Sequence, residues 1–187
     1  MEGEHRAAEL VDPGEEVAQA VGQRQYPLAH GDGTGTLTAA PWACYPAGPM
    51  TNDIRITVTE RGGRRCASSG SKWEPIMGYS RAVRTGNAIT VTGTVGVNAD
   101  GTYPSSLAAQ TRRSLAIIRA ALEALGGRLE HVIRTRMFVT DVSKWEEVAA
   151  VHGEVFGEIR PATTLVEVAR LIDGAAQIEI EADAIVP

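Results

Sequence analysis

The sequence predicts a protein of mixed α/β (α+β) class, built from one mixed sheet with two helices packed on the same face. From residue 64 onward, strand-like and helix-like segments follow in the order β, β, α, β, α, β, β. The two helical segments are amphipathic, and two helices can cover only one face of such a sheet. The second face is therefore expected to meet solvent or another protein surface.

The first half of this region supplies a strand and a helix. Ala88–Thr94 follows a Gly-Asn turn and reads as a strand. Ser105 or Ser106 can cap a helix that runs to about Leu125 and ends at a Gly-Gly pair. Leucine and isoleucine recur on one side of this helix, with arginine and glutamate largely outside that stripe, which predicts one buried and one solvated face.

The second half predicts three strands and another helix. Val132–Thr140 has the composition of a strand, and Asp141 or Ser143 can cap a helix that continues to about Glu158. Pro161 ends that helix, because the residue before a proline avoids the helical conformation. Two further strands complete the chain: Thr163–Ala169 and Gln177–Ile185.

Alternation along the last three strands predicts what lies on each sheet face. Arg136 and Phe138 share one side of their strand, and we place Leu165 and Glu167 of the next strand with them. The acidic residues of the last strand join the same face: Glu179, Glu181 and Asp183. Charged and apolar side chains together on an uncovered sheet face predict a subunit interface with wet clefts. Glu167 is then the expected ion-pair partner of Arg136.

Residues 1–63 are interpreted as a largely disordered N-terminal extension, and residues 64–187 as the folded domain. Residues 1–49 show no sustained period, and the glycine-rich Gly31–Gly35 lacks the flanking strand and helix of a phosphate-binding loop. Ile54–Thr59 alternates as an isolated strand would. The net charge of −5 falls entirely within residues 1–63, so the predicted domain is neutral.

These totals argue against several classes of partner. A neutral domain lacks the basic surface that nucleic-acid binding usually needs. No run of about 18 apolar residues is present, so no membrane partner is expected. The chain lacks a secretory signal, which predicts a cytoplasmic protein with reduced thiols at Cys44 and Cys66. His131 and His152 have no partners at a metal-ligand spacing, so no metal site is predicted.

Five segments of the chain resemble the Rid (reactive intermediate deaminase) family, also called the YjgF family. They follow in the family's order: Ser68–Val83, Ile89–Gly96, Val132–Asp141, Phe156–Leu171 and Ile178–Val186. The resemblance implies a chorismate-mutase-like fold and a homotrimer whose three sheets form a central barrel, with ligand clefts between subunits. It also implies hydrolysis of 2-imino or enamine acids to 2-keto acids and ammonia, with no metal or organic cofactor.

The resemblance also implies site residues. Tyr79 matches the family's pocket tyrosine, Gly93 the glycine whose backbone contacts the ligand, and Glu179 the glutamate that orients the attacking water. Tyr79 and Glu179 are therefore the predicted catalytic residues, and Gly93 is a predicted ligand-binding residue. A glutamate in this role would act as a general base toward water.

Two positions depart from the family's pattern. Thr163 stands where the family has the arginine that pairs with the substrate carboxylate, and Leu165 stands where it has a cysteine. A threonine offers one neutral donor in place of two charge-assisted bonds, a difference of about 1.5–3 kcal/mol per bond lost. Both residues are predicted to line the ligand cleft. Arg136 is a candidate to replace the missing arginine as the partner of the substrate carboxylate. The alternative is that Arg136 forms an ion pair at the subunit interface.

Together these residues predict a protein that binds a small polar metabolite in a subunit-interface cleft. Catalysis there would hydrolyse reactive imine or enamine intermediates by water attack assisted by Glu179. One alternative is a sensor or interaction protein that binds a metabolite without turning it over. Another is a ribonuclease or translation inhibitor, which the neutral domain disfavours.

Overall fold

The computed structural model of the chain describes residues 53–187. Within these residues, seven strands form one mixed sheet in the order β1-β2-β3-β4-β7-β5-β6. The strands are β1 (Thr57–Arg61), β2 (Arg64–Ser68), β3 (Ala82–Thr85), β4 (Ala88–Val95), β5 (Val132–Val139), β6 (Ala162–Glu167) and β7 (Ile178–Ile185). The helices are α1 (Trp73–Met77), α2 (Leu107–Ala124) and α3 (Trp145–Phe156). The predicted class, a mixed sheet with two long helices on one face, is confirmed.

One predicted cap starts α2, and another starts the turn that leads into α3. The Ser106 side chain accepts a hydrogen bond from the Ala109 amide at 3.2 Å and starts α2. Asp141 accepts one from the Ser143 amide at 3.1 Å and starts a 3₁₀ turn, Val142–Lys144, that leads into α3. The Ser106 cap thereby satisfies an amide group of α2 that has no partner within the helix itself.

The hydrophobic core lies between these helices and the covered face of the sheet. Its largest fully buried apolar side chains are Phe156, Ile89, Ile118, Leu122, Leu125, Ile178, Ile180, Val91, Val139, Val148 and Val151. Burying one isoleucine or leucine contributes roughly 1.5–3 kcal/mol. Among the described residues, no helix is both long and apolar enough to cross a membrane.

The sheet begins with a hairpin that the sequence only partly predicted. β1 is displaced toward the C-terminus from the predicted Ile54–Thr59, and it pairs with β2 rather than standing alone. Gly62 and Gly63 form the two-residue turn, with φ of 56° and 75°. The predicted boundary after residue 63 falls in this turn. The interpretations of residues 1–52, including Cys44, lie outside the described residues.

Helix α1 was not predicted, because five residues are too short to show a helical period. It ends at Gly78, whose φ of 70° is the left-handed conformation that glycine adopts readily. The buried Glu74 carboxylate accepts hydrogen bonds from the Ser69 amide at 3.0 Å, the Ser69 hydroxyl at 2.9 Å and the Ser68 hydroxyl. These bonds fix the segment that leads toward β3.

The predicted face of β6 is wrong. β6 runs parallel to β5, with Leu165 opposite Met137 and Glu167 opposite Val139. Since paired residues project to the same side of a sheet, Leu165 and Glu167 lie on the helix side and not with Phe138. In the run Thr-Leu-Val-Glu, the adjacent leucine and valine project to opposite faces of the sheet. Alternation alone therefore could not decide which face is buried.

The predicted pairing of Arg136 with Glu167 is wrong for the same reason. Arg136 lies on the uncovered face and pairs with Glu181 at 3.3 Å and Asp183 at 3.2 Å. Glu167 instead accepts a hydrogen bond from the Val142 amide at 2.8 Å, at the start of the turn before α3.

Candidate functional site

A cavity of about 520 Å³ lies beside β4 and β7. Its walls include part of β4, the segment around α1, the loop after β4 and the loop before β7. Three predicted site residues line it: Tyr79, Gly93 and Glu179. We refer to it as the β4–β7 cavity. Its volume falls within the range of about 300–1,000 Å³ that is usual for small-molecule pockets.

Gly93 allows the Glu179 carboxylate to lie against the backbone of β4. The pairing of β4 with β7 shifts register between Val91 and Thr94, so Gly93 lies in an irregular part of the strand. A Cβ atom at Gly93 would overlap the Glu179 carboxylate oxygen Oε1 and would lie 2.8 Å from its Cδ. Any larger residue at position 93 would therefore displace the carboxylate.

The pKa of the Glu179 carboxyl group is raised in this position. Burial raises the pKa of its half-buried carboxyl, the negative charge of Glu181 raises it further, and the positive charge of Arg81 opposes both. A carboxyl group with a raised pKa in a cleft is a recognised form of general acid or base. The charged form is a stronger base than an ordinary glutamate, which suits proton abstraction from water.

Arg81 occupies the wall beside Glu179, and the sequence analysis did not identify it. Its Nη1 atom donates to the Gly93 carbonyl at 2.8 Å and to the Thr94 hydroxyl at 2.9 Å. Its Nε atom donates to the Ser69 hydroxyl at 3.2 Å, and its Nη2 atom contacts the Tyr79 hydroxyl at 3.4 Å. The signal was present in the Gly-Tyr-Ser-Arg-Ala-Val segment, because an arginine two residues after the pocket tyrosine faces the same way in extended chain.

Tyr103 also lines the β4–β7 cavity and was missed by the sequence analysis. Burial, together with the negative charges of Asp173 and Glu179, raises the pKa of its hydroxyl to about 12. The group therefore remains a neutral hydrogen-bonding hydroxyl at physiological pH. No sequence pattern marked this tyrosine, because its place in the wall depends on how the loop after β4 folds.

Thr163 and Leu165 do not line the β4–β7 cavity. They lie on β6, which is separated from β7 by β5 in the sheet order. Arg136 is not among the cavity-lining residues either, and its guanidinium is engaged by two acidic residues of β7. Within one chain, the predicted site residues therefore fall into separate groups.

Thr163 belongs to a chain of hydrogen bonds with Thr135 and His152, which we call the β6-edge cluster. The Thr135 hydroxyl lies 2.9 Å from the Thr163 hydroxyl and 3.0 Å from His152 Nε2, and Thr163 donates to the Pro161 carbonyl at 3.1 Å. Because each hydroxyl carries one hydrogen, the donors run from His152 through Thr135 to Thr163. Burial lowers the pKa of His152, so the cluster is uncharged near neutral pH.

The part of the cavity around β4 thus offers the Glu179 carboxyl group, the Tyr79 and Tyr103 hydroxyls and the buried Arg81 guanidinium to a small polar molecule. Among residues 53–187, no group of three or more His, Cys, Asp or Glu side chains is arranged to hold a metal ion. The chemistry available from these residues is hydrogen bonding, charge stabilisation and proton transfer to or from water.

The chain matches a known protein family. The family described as endoribonuclease L-PSP matches residues 70–186. These residues include every cavity-lining side chain discussed above except Ser69, and they include the β6-edge cluster. The match therefore covers both groups of predicted site residues.

Named relatives and solved structures agree with this match. A 2-iminobutanoate/2-iminopropanoate deaminase of Escherichia coli is 38% identical over 111 residues, which are 57% of this chain and 86% of the relative. A Mycobacterium tuberculosis protein of the YjgF/YER057c/UK114 family is 48% identical, with a TM-score of 0.61 over 66% of this chain and 99% of that one. Escherichia coli TdcF with bound serine is 28% identical, with a TM-score of 0.55 over 58% and 88% of the two chains.

Proposed function

This chain belongs to the endoribonuclease L-PSP family, whose members include the YjgF and Rid proteins, and we propose that it hydrolyses reactive imine or enamine metabolites in the β4–β7 cavity. One observation carries the proposal. Tyr79, Gly93 and Glu179 meet in a single cavity, where the Glu179 carboxyl has a raised pKa. The similarity to a 2-iminobutanoate/2-iminopropanoate deaminase supports an imine as the reacting group.

In the proposed reaction, the Glu179 carboxylate accepts a proton from water as the water oxygen bonds to the imine carbon. The carbon–nitrogen double bond becomes single, and its nitrogen takes up a proton from solvent. Return of the proton from Glu179 to that nitrogen allows ammonia to leave, and a carbonyl group forms as the new hydroxyl group releases its proton to solvent. The hydroxyl of Tyr79 and the backbone at Gly93 orient the ligand. Imine and water are consumed, and ketone and ammonia are produced.

We also propose that the chain acts as a homotrimer. The uncovered sheet face carries Val166, which is 42% exposed, beside Phe138 and the charged residues of β5 and β7. β6 is an edge strand of the sheet, so its backbone is free to meet another chain. A neighbouring copy would then supply Thr163 and Leu165 to a cleft that one chain leaves open.

The experiment for hydrolysis generates 2-iminopropanoate from alanine with an amino-acid oxidase and traps surviving imine with semicarbazide. The wild-type protein should speed the loss of imine, and Glu179→Gln should lower that rate by about 10²-fold or more, because general-base catalysis contributes about 10²–10⁴-fold. Glu154→Gln is the matched control, since Glu154 pairs with Arg112 on the exposed helix surface. Equal rates for wild type and Glu179→Gln would contradict the proposal.

A sensor that binds without turnover is the second candidate. The observation in its favour is that Thr163 brings no charge to the β6 edge and has its hydroxyl engaged by Thr135 and Pro161. Equal ligand affinity in wild type and Glu179→Gln, with no product from either, would select this candidate. Ribonuclease activity is less favoured, because residues 64–187 carry no net charge.

A further inference from the structure

Arg81 is a buried cation whose guanidinium has only neutral hydrogen-bond partners. Its exposed fraction is 7%, and its partners are the hydroxyls of Ser69, Thr94 and Tyr79 and the carbonyl of Gly93. Among residues 53–187, no ion pair includes Arg81. A buried charge is costly unless an opposite charge compensates it. Glu179 acts on Arg81 only through space and makes no hydrogen bond to it, so the guanidinium can hold a further anion.

The Nη2 atom is the part of the guanidinium with unused capacity. Nε and Nη1 make bonds of 2.8–3.2 Å toward Ser69 and β4, whereas the single contact of Nη2, to the Tyr79 hydroxyl, is long at 3.4 Å. An Nη2 group carries two hydrogens. Since Tyr79 and Arg81 both line the β4–β7 cavity, an oxygen atom of a ligand can approach this nitrogen from inside it.

The remaining charges of the cavity leave a positive excess. Its charged lining residues are Asp53, Arg55, Lys72, Arg81, Arg113, Asp173 and Glu179. Arg113 and Asp53 form a two-pronged ion pair with distances of 2.8 and 2.7 Å. Setting that pair aside leaves three cations and two carboxyl groups. Glu179 does not neutralise Arg81 by direct contact, and its burial disfavours the charged form.

We propose that Arg81 and the Tyr79 hydroxyl form an anion-binding subsite that holds the carboxylate of a small monocarboxylate ligand. The subsite rests on the proposed function. It specifies that the ligand is an anion, and it sets the ligand's orientation in the cavity. Arg81 bonds to the Gly93 carbonyl, and the Glu179 carboxylate lies against the same glycine, so a ligand of a few heavy atoms spans both groups. A carboxylate on Arg81 therefore places the adjoining carbon toward Glu179. This subsite is distinct from the positions of Thr163 and Arg136.

The test measures binding of pyruvate and of its neutral analogue pyruvamide to the full chain by calorimetry. Wild type should bind pyruvate at least about tenfold more tightly, because bonds to charged groups are worth about 1.5–3 kcal/mol and 1.4 kcal/mol is tenfold. Arg81→Gln should weaken pyruvate by about 10- to 100-fold and leave pyruvamide within about twofold. Arg119→Gln removes the same charge from the exposed face of α2 and should change neither ligand.

A purely structural role for Arg81 would weaken both ligands equally, and that result would overturn the subsite. Equal binding of the two ligands by wild type, or no pyruvate binding by wild type, would also overturn it. A wild-type crystal soaked with pyruvate tests the placement even if Arg81→Gln does not fold. The expected result is a carboxylate oxygen within hydrogen-bond distance of Arg81 Nη2, and a carboxylate bound elsewhere contradicts it.

The two proposals fail separately. If pyruvate binds through Arg81 but wild type hydrolyses no imine, the subsite stands and the hydrolysis fails. If Glu179→Gln abolishes hydrolysis while Arg81→Gln binds pyruvate as wild type does, the hydrolysis stands and the subsite fails.

Discussion

The β4–β7 cavity and the β6-edge cluster are both polar, but they handle charge in opposite ways. In the cavity, a buried guanidinium and a carboxyl with a raised pKa lie on either side of Gly93. At the β6 edge, a neutral imidazole and two threonine hydroxyls satisfy one another in a chain. Charge that is buried without compensation is characteristic of functional sites, and complete hydrogen bonding is characteristic of structural ones. The difference supports the proposal that charge-dependent chemistry takes place in the cavity.

The largest effect is expected from Gly93→Ala. The added methyl group would displace the Glu179 carboxylate, so imine hydrolysis should fall as far as in Glu179→Gln, by about 10²-fold or more. Stability should fall by only about 1 kcal/mol, the low end for overpacking, because the end of a glutamate side chain can move away. Steady-state rates and urea unfolding measure the two quantities.

Gly153→Ala is the matched control for that substitution. A Cβ at this position in α3 would meet no atom within 4 Å. Replacing a glycine inside a helix should therefore stabilise the protein by about 0.5–1 kcal/mol with an unchanged rate. Wild-type activity in Gly93→Ala would show that the position of the Glu179 carboxylate does not matter.

At the β6 edge, Thr135→Val should lower stability more than it lowers the rate of imine hydrolysis. Thr135 is fully buried and links His152 to Thr163, so valine would remove the hydrogen-bond partner of His152 Nε2 and leave Thr163 only its bond to the Pro161 carbonyl. Leaving a buried polar group unsatisfied costs about 1–3 kcal/mol, which urea unfolding can resolve. Thr140→Val changes a residue outside the cluster in the same way and serves as the control. Equal stability of wild type and Thr135→Val would mean that the cluster is not structural.

The two regions should respond to pH in opposite directions. The pKa of Glu179 is raised above its ordinary 4.5, so its contribution to the free energy of unfolding should fall as pH rises from 4.5 through the folded-state pKa. The pKa of His152 is lowered below 6.5, so its contribution should fall as pH drops from 6.5 through the folded-state pKa.

Urea unfolding across these pH ranges, with wild type, Glu179→Gln and His152→Gln, separates the two contributions. Relative to wild type, Glu179→Gln should gain stability toward high pH, and His152→Gln should gain it toward low pH. Parallel pH profiles for all three proteins would contradict both pKa shifts.

The smallest effect is expected from Thr163→Arg. If Arg81 already supplies the anion-binding charge, a guanidinium at the β6 edge should change the affinity for pyruvate by less than about threefold, under 1 kcal/mol. A gain of tenfold or more would show that the β6 edge lacks an anchor that the ligand needs. Calorimetry with the same pyruvate stock measures the change.

The sequence predicted most of the fold because the long elements carry strong patterns. The apolar stripe of α2 predicts a single buried face for that helix. The alternation of side chains along β5 and β7 does the same for each of these strands. The predicted sheet face of the β6 side chains was wrong, because Thr163–Glu167 carries an apolar residue on either face. The register of β6 against β5 is set by contacts across the crossover through α3. Helix α1 was missed because it is too short for periodicity to show.

The candidate site was predicted in part, and the missing parts depend on the folded backbone. Tyr79, Gly93 and Glu179 came from motifs that keep a recognisable order along the chain. Arg81 lies inside one of those motifs, but an arginine beside a strand is usually exposed, and its burial depends on the Gly93 carbonyl. A cavity wall of this kind is formed by tertiary contacts, and local sequence patterns do not predict such contacts.

The central claim is that Glu179 in the β4–β7 cavity is the base for imine hydrolysis, and the pH dependence of kcat/KM tests it most directly. The ratio of the wild-type value to that of Glu179→Gln should rise with pH and level off, with a midpoint above 4.5 because the carboxyl pKa is raised. A ratio that stays near one, or that does not change with pH, would contradict the account.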